Sequence, residues 1–347
     1  MTLRDASSLG SSGRALATGI GSLPGEDVAE AVKVVLGELG ETPCLPHLPE
    51  LPARGAIATM TGRALAAIDG LDADLQPAGW RLTGSSGAPA VDQRRARSLL
   101  AQDLDVLEEQ AQGYAGALKI QIAGPWTLAA TVERPRGDKI LADHGARREL
   151  AQALAEGLRA HVRDVRRRLP AAARLVVQID EPALAAVLEG RVPTASGYGR
   201  HRSVDRPEAS DTLGWVLAAA ADEGAEPWVH ACAPGTPLDL VRDAGARGLA
   251  VDLGVVDAGG TDQLAEALEA GETVALGVVP SLDPAAALSD KEVTERVLRW
   301  LDMVGLAPDE VGDRLVVSPA CGLAGASASW ARTALRVART AAGSLSG

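Results

Sequence analysis

His230 and Cys232 stand two positions apart at the end of the apolar run EPWVHAC (226–232), in a chain with five histidines and three cysteines. Residues i and i+2 of a β-strand face the same side, so an imidazole and a thiol point together here. Cys321 closes a second apolar run, RLVVSPAC (314–321). One imidazole and two thiolates are donors that Zn²⁺ prefers, with a fourth position left for oxygen or substrate. Asp252, near the end of RGLAVDLG (247–254), is the candidate oxygen ligand. Spacing alone does not decide the matter. A lone buried Cys is ordinarily a small core residue, and an HxC pair is far less specific than a paired CxxC.

Carboxylates form a second group. Asp180-Glu181-Pro182 leaves the run RLVVQID (174–180). Neighbouring residues face opposite sides, so one of the two acids looks inward, and Pro182 keeps Glu181 extended. Inward charge without a purpose is costly, which favours a ligand-binding carboxylate over a structural one. His47 and Glu50 lie in PCLPHLPELPARG (43–55), too proline-rich for helix. Taken alone, that stretch reads as solvated loop charge. Gly21-Ser22 ends ALATGIGS (15–22), Gly124-Pro125 follows ALKIQIA, and Cys44 reads as core.

These residues need a scaffold that gathers strand ends. Eight β-type runs are legible: 15–22, 42–47, 117–124, 174–180, 226–232, 247–254, 273–279 and 314–321. Several are continuously apolar, the pattern of parallel strands buried on both faces. Helical stretches alternate with them. Leu150, Leu154, Leu158, Val162, Val165 and Leu169 make one apolar stripe stopped by Pro170. A similar stripe runs over 95–116, and weaker helices fit 26–40, 211–224, 236–245, 260–271, 290–304 and 327–342. Eight strands alternating with helices is the count for an α/β fold of the (β/α)8 TIM-barrel type, which brings the strands' C-terminal ends to one rim. The expectation is a disordered lead (1–14) and a single barrel domain (15–347), with 49–94 and 185–210 as loops over its mouth.

Composition sets further bounds. A net charge of −12 argues against nucleic acid or anionic membrane as partner. No apolar run approaches the roughly 18 residues of a membrane span. Three cysteines do not make a disulfide framework, and a cytoplasmic protein with reduced thiols is the simplest reading.

With these residues placed, the chain resembles the cobalamin-independent methionine synthase family in its C-terminal catalytic barrel. The matching stretches run in order: TGIGSLP (18–24), AGWRLTGS (78–85), IAGPWTLA (122–129), VQIDEPAL (177–184), VHAC (229–232) and VSPACGLAG (317–325). QIDEPAL and the pairing of HxC with PACGL are the specific ones; GPWTLA is shared with uroporphyrinogen decarboxylase barrels. The resemblance implies a zinc-dependent methyltransferase that activates homocysteine as a zinc thiolate and methylates it to methionine. Its zinc ligands fall on His230, Cys232 and Cys321. The family's fourth ligand, a glutamate, falls on Asp252, which is one methylene shorter. Its amino-acid-binding residues fall on Gly21, Ser22, Asp180 and Glu50. The family's strand-7 histidine is absent, and Asp283 stands in that region. Full-length members carry a second, N-terminal barrel that this sequence does not include. Similarity to single-barrel homologues implies a methylated corrinoid, carried by a corrinoid protein, as donor, with methyl-folate the alternative. Three rivals remain open: the same chemistry on another small thiol, a metal-free lyase of the decarboxylase type, and a non-catalytic barrel.

Overall fold

The apolar runs pair as parallel strands. In the computed structural model, residues 13–41, 43–83 and 90–345 are described. The lead expected over 1–14 therefore lies, for residues 1–12, outside the described residues, as do 84–89. The described strands are β1 (Leu16–Ala17), β2 (Ala73–Gln76), β3 (Gly79–Leu82), β4 (Ala117–Ala123), β5 (Arg174–Asp180), β6 (Glu226–Ala231), β7 (Gly248–Asp252), β8 (Thr273–Val279) and β9 (Leu315–Pro319). Seven make one curled sheet in the order β1-β9-β8-β7-β6-β5-β4, with every pair parallel. β2 and β3 form a separate antiparallel hairpin.

The run expected as a strand over 42–47 is not one. It pairs through isolated parallel bridges, Thr18 with Leu45 and His47 with Lys119, followed by Ser22 with Glu50. The reason is chemical. Pro43, Pro46, Pro49 and Pro52 carry no N–H, so a continuous ladder cannot form. The segment nonetheless bonds to both edges of the sheet. Leu45 N donates to Ala17 O at 2.8 Å and Glu50 N to Gly21 O at 3.1 Å on the β1 side. On the β4 side, Lys119 N donates to Pro46 O at 2.8 Å and Leu48 N to Lys119 O at 3.0 Å.

Inside the curl sits a small apolar cluster: Leu16, Leu45, Val176, Trp228, Ala250, Ala275 and Val316, with Ala117 packed against it. That is one residue from each of the seven strands plus one from the proline-rich segment. Trp228 is the largest of these side chains, and Gly248 admits it, since a Cβ there would lie 2.4 Å from the indole Cδ1. The larger core lies between the sheet and the surrounding helices.

Those helices follow the apolar stripes. The His144–Arg168 helix buries Leu150, Leu154, Leu158, Val162 and Val165, and the Asp143 side chain caps it by accepting from Ala146 N. Each such buried aliphatic side chain is worth about 2 kcal/mol. The Asp290–Val304 helix opens on a Ser289/Glu292 capping box and ends at Gly305, which takes the left-handed conformation (φ 74°). Helices at Val28–Leu39, Val91–Gln110, Arg206–Asp222, Leu238–Asp243, Ala258–Glu269 and Ala328–Ser344 occupy the other expected stretches. The excursion over 49–94 differs from expectation. It holds the Met60–Ala67 helix and the β2–β3 hairpin rather than loops alone, and the short helices Pro125–Thr131, Leu184–Leu188 and Pro308–Val311 fall outside the expected helical stretches. Among the described residues no helix is long and apolar enough to cross a membrane.

Candidate functional site

Alternation along β6 turns Trp228 and His230 inward, and Cys232 follows just beyond the strand end. β9 delivers Cys321 to the same rim. The Cys232 and Cys321 sulfurs are 3.1 Å apart, and Cys321 Sγ is 3.9 Å from His230 Nε2. The ligand atoms of all three residues lie within 4.8 Å of one another. His230 Nδ1 sits 3.1 Å from the carbonyl oxygen of Ala250, an acceptor, so Nδ1 carries the proton and the Nε2 lone pair faces the sulfurs. The two thiols share a proton. The hydrogen bond from Cys232 pulls Cys321 down to about 4, and the same contact pushes Cys232 up. A nitrogen lone pair and two sulfurs converging on one point form a donor set that could hold a metal ion.

Asp252, the expected oxygen ligand, is not in this group. Its Oδ1 accepts from Gly254 N at 2.8 Å, so the short carboxylate serves its own loop. Asp283 likewise holds Ser327, the N-cap of the Ala328–Ser344 helix, accepting from its N–H at 2.7 Å and its hydroxyl at 2.5 Å. Beside Cys321 a cavity of about 410 Å³ is lined by Asp252, Gly277, Val279, Arg296 and Ala320.

Beneath the rim the interior is polar. Asp180 is buried and accepts from Gln178 Nε2 at 2.7 Å. Burial pushes its carboxyl up to about 7, with the neighbouring Lys119 among the influences opposing it. Lys119, also buried, donates to Gln178 Oε1 and to Ile20 O, both at 2.7 Å, and Gln178 Nε2 reaches the same carbonyl at 3.0 Å. One chain of bonds thus ties Asp180 to the backbone just before Gly21-Ser22. Gly21 lies against Gln121, where a Cβ would come within 2.9 Å of that side chain. Glu50 is buried beside Arg63, with Nε to Oε1 at 3.4 Å. His47 is buried, and desolvation together with the Lys119 charge keeps its imidazole well below the usual histidine range.

Glu181 faces the other way. It accepts from Trp126 N (2.9 Å), Thr127 N (2.8 Å) and Thr127 Oγ1 (2.7 Å), capping the Pro125–Thr131 helix. A Cβ at Gly124 would stand 2.3 Å from Glu181 Oε1, so the IAGPWT and IDEP stretches are two halves of one contact. A similar lock joins the rim. A Cβ at Gly322 would stand 2.1 Å from Ser22 Oγ, and Leu323 N donates to Ser22 O at 2.8 Å. Ser22 therefore sits directly against the residue after Cys321. Lys119, Gln178 and Arg63 were missed from sequence. A lysine in the middle of ALKIQIA and a glutamine two before Asp180 were the signals that could have found the first two.

Comparisons with known proteins give the family and the fold. The family model described as the cobalamin-independent synthase catalytic domain matches residues 111–344. A solved B12-independent methionine synthase from Shewanella sp. W3-18-1, in complex with selenomethionine, is 14% identical with a TM-score of 0.61, covering 95% of this chain and 97% of its own. A 3-keto-D-glucoside 4-epimerase from E. coli is 12% identical with a TM-score of 0.43, covering 94% and 99%. No curated protein matches the sequence significantly. The chain belongs to the cobalamin-independent synthase family, through its catalytic domain, and is a methyltransferase acting on a thiol.

Proposed function

We propose that the chain is a zinc-dependent methyltransferase that converts homocysteine to methionine, taking the methyl group from a methylated corrinoid or a methyl-folate. The observation that carries this reading is the convergence of His230 Nε2 with the Cys232 and Cys321 sulfurs, the imidazole being oriented by Ala250 O. These three residues would hold the ion, with a fourth position left to the substrate sulfur, while Asp252 stays bonded to Gly254 N. Bound zinc lowers the pKa of a coordinated thiol enough for the sulfur to be nucleophilic at neutral pH.

The rest falls to the chain's own side chains. Asp180 and Glu50 bind the substrate ammonium, and the Ser22 hydroxyl with the Gly21-Ser22 backbone binds its carboxylate. Lys119 and Gln178 hold Asp180 and the Ile20 carbonyl in register, so both ends of the amino acid are placed by one set of bonds. The methyl donor arrives over the rim formed by the strand ends. In this reading the proline-rich segment completes a closed (β/α)8 barrel, a single domain over 15–347 with a lead before it. Free cysteines suit a reducing compartment such as the cytoplasm.

Metal analysis combined with a methyl-transfer assay, comparing methylcobalamin with methyl-folate, tests the proposal. Wild-type protein is expected to hold one zinc per chain and to methylate homocysteine. Cys232→Ser protein is expected to lose both properties, and undiminished zinc and transfer in that variant would overturn the reading.

A further inference from the structure

We infer that Arg63, locked by Asp103 and Arg54, is a positioning residue that aims Glu50 and thereby sets a preference for acceptors with a free amino group; this rests on the amino-acid reading above. Glu50 is 4% exposed and comes from a segment whose prolines leave it few backbone donors. Burial pushes its carboxyl up, and the Arg63 charge is the largest opposing influence, ahead of Gln121 and Lys119.

Arg63 is itself 4% exposed and lies between two carboxylates, hydrogen-bonded to one and facing the other. Nε faces Glu50 Oε1 at 3.4 Å, while Nη1 donates to Asp103 Oδ2 at 2.5 Å. The hydrogen bond to Asp103 anchors the planar guanidinium on one side and leaves Nε facing Glu50, a placement a lysine ammonium does not reproduce; among the described residues neither Nε nor Glu50 Oε1 has a hydrogen-bond partner, so that oxygen keeps its capacity to accept one. Asp103 is fully buried and also takes two bonds from Arg54, Nη1 to Oδ1 and Nη2 to Oδ2, both at 2.7 Å. Arg54 lies in the Pro52–Arg54 turn that continues directly from Glu50. The linkage is therefore a ring: Glu50 along the chain to Arg54, across to Asp103, on to Arg63 and back to Glu50.

The ring has a consequence for the pocket. Glu50 and Asp180 are both buried, and the Glu50 charge works to raise the Asp180 pKa. Arg63 beside Glu50 offsets part of that carboxylate's burial, and Glu50 Oε1, which has no hydrogen-bond partner among the described residues, is the oxygen that would meet a substrate ammonium. The Pro52–Arg54 turn, the Met60–Ala67 helix and the Val91–Gln110 helix thus supply the support for one substrate-binding carboxylate.

The test is calorimetric and needs no methyl transfer. L-methionine and its des-amino analogue, 4-(methylsulfanyl)butanoate, are titrated into zinc-loaded and metal-free protein, and the ratio of the two dissociation constants is read. Wild-type protein is expected to prefer methionine. Arg63→Met is expected to cut that preference about tenfold or more (~1.4 kcal/mol) while the analogue binds within about twofold of wild type. Arg54→Met, which leaves Arg63 in place but loosens Asp103, is expected to cut it by about threefold, and serves if the first variant does not fold. An unchanged preference in either folded variant overturns the inference, as does an equal weakening of both ligands, which marks a merely structural role. A wild-type protein with no preference overturns the amino-acid reading itself, before any variant is compared.

Discussion

Replacing Lys119 by methionine should change how stability depends on pH. The ammonium is fully buried in the middle of β4, with two hydrogen bonds of 2.7 Å, to Ile20 O and Gln178 Oε1. Burial brings its pKa down from 10.5 to about 7, with the Asp180 and Glu50 charges opposing. A base whose folded pKa lies below its unfolded value takes up a proton on unfolding between the two. The cost of burying the charged form is then present in full below about pH 7 and is relieved as pH rises toward the unfolded value. Over two pH units in that window, the group adds about 2.5 kcal/mol to wild-type stability. The Lys119→Met substitution removes this slope. The gap between wild type and Lys119→Met therefore widens with pH. Urea unfolding followed by tryptophan fluorescence at about pH 7.5 and 9.5, with m-values compared, measures it. A gap that stays constant within about 0.5 kcal/mol would refute the account of Lys119 as a buried, destabilised cation.

Three further outcomes are expected. Gly322→Ala places a methyl group where Ser22 Oγ now sits, so methionine affinity should fall about tenfold or more with a stability loss of about 1–3 kcal/mol; wild-type affinity would show that the two rim loops are not locked together. Asp252→Ala should keep one zinc per chain, because its carboxylate is bonded to Gly254 N, and loss of metal on atomic absorption would instead make it a ligand. Trp228→Ala empties the inner cluster and should cost about 3–5 kcal/mol in urea unfolding, whereas a cost under about 1 kcal/mol would mean the interior collapses around the gap.

Much of the scaffold could be read from the linear pattern. Continuously apolar runs became parallel strands buried on both faces, and the Leu150-to-Val165 stripe became the buried face of one helix. The pattern failed where proline intervened. Apolar residues at 42–47 suggested a strand, but the prolines in and after that run left bridges in place of a ladder. It also failed in the 49–94 excursion, where the helix and hairpin are too short and too weakly periodic to stand out from Gly-rich surroundings.

The candidate site divides along the same line. That His230 and Cys232 face one way follows from alternation, a local rule with a period of two residues. That they meet Cys321, 89 residues beyond Cys232, follows from sheet order and register. The supporting groups lie further still from what spacing reveals: Arg63 reaches Asp103 across 40 residues and Arg54 reaches it across 49. Asp252 shows the limit most plainly. Its position at the end of β7 was legible, but its direction was decided by a backbone N–H two residues on that packing left free to donate. Local chemistry dictates which face a strand residue takes. Which of several partners a buried charge meets depends on the whole packed interior, because each such group settles on whatever donor or counter-charge the surrounding elements leave within about 3 Å.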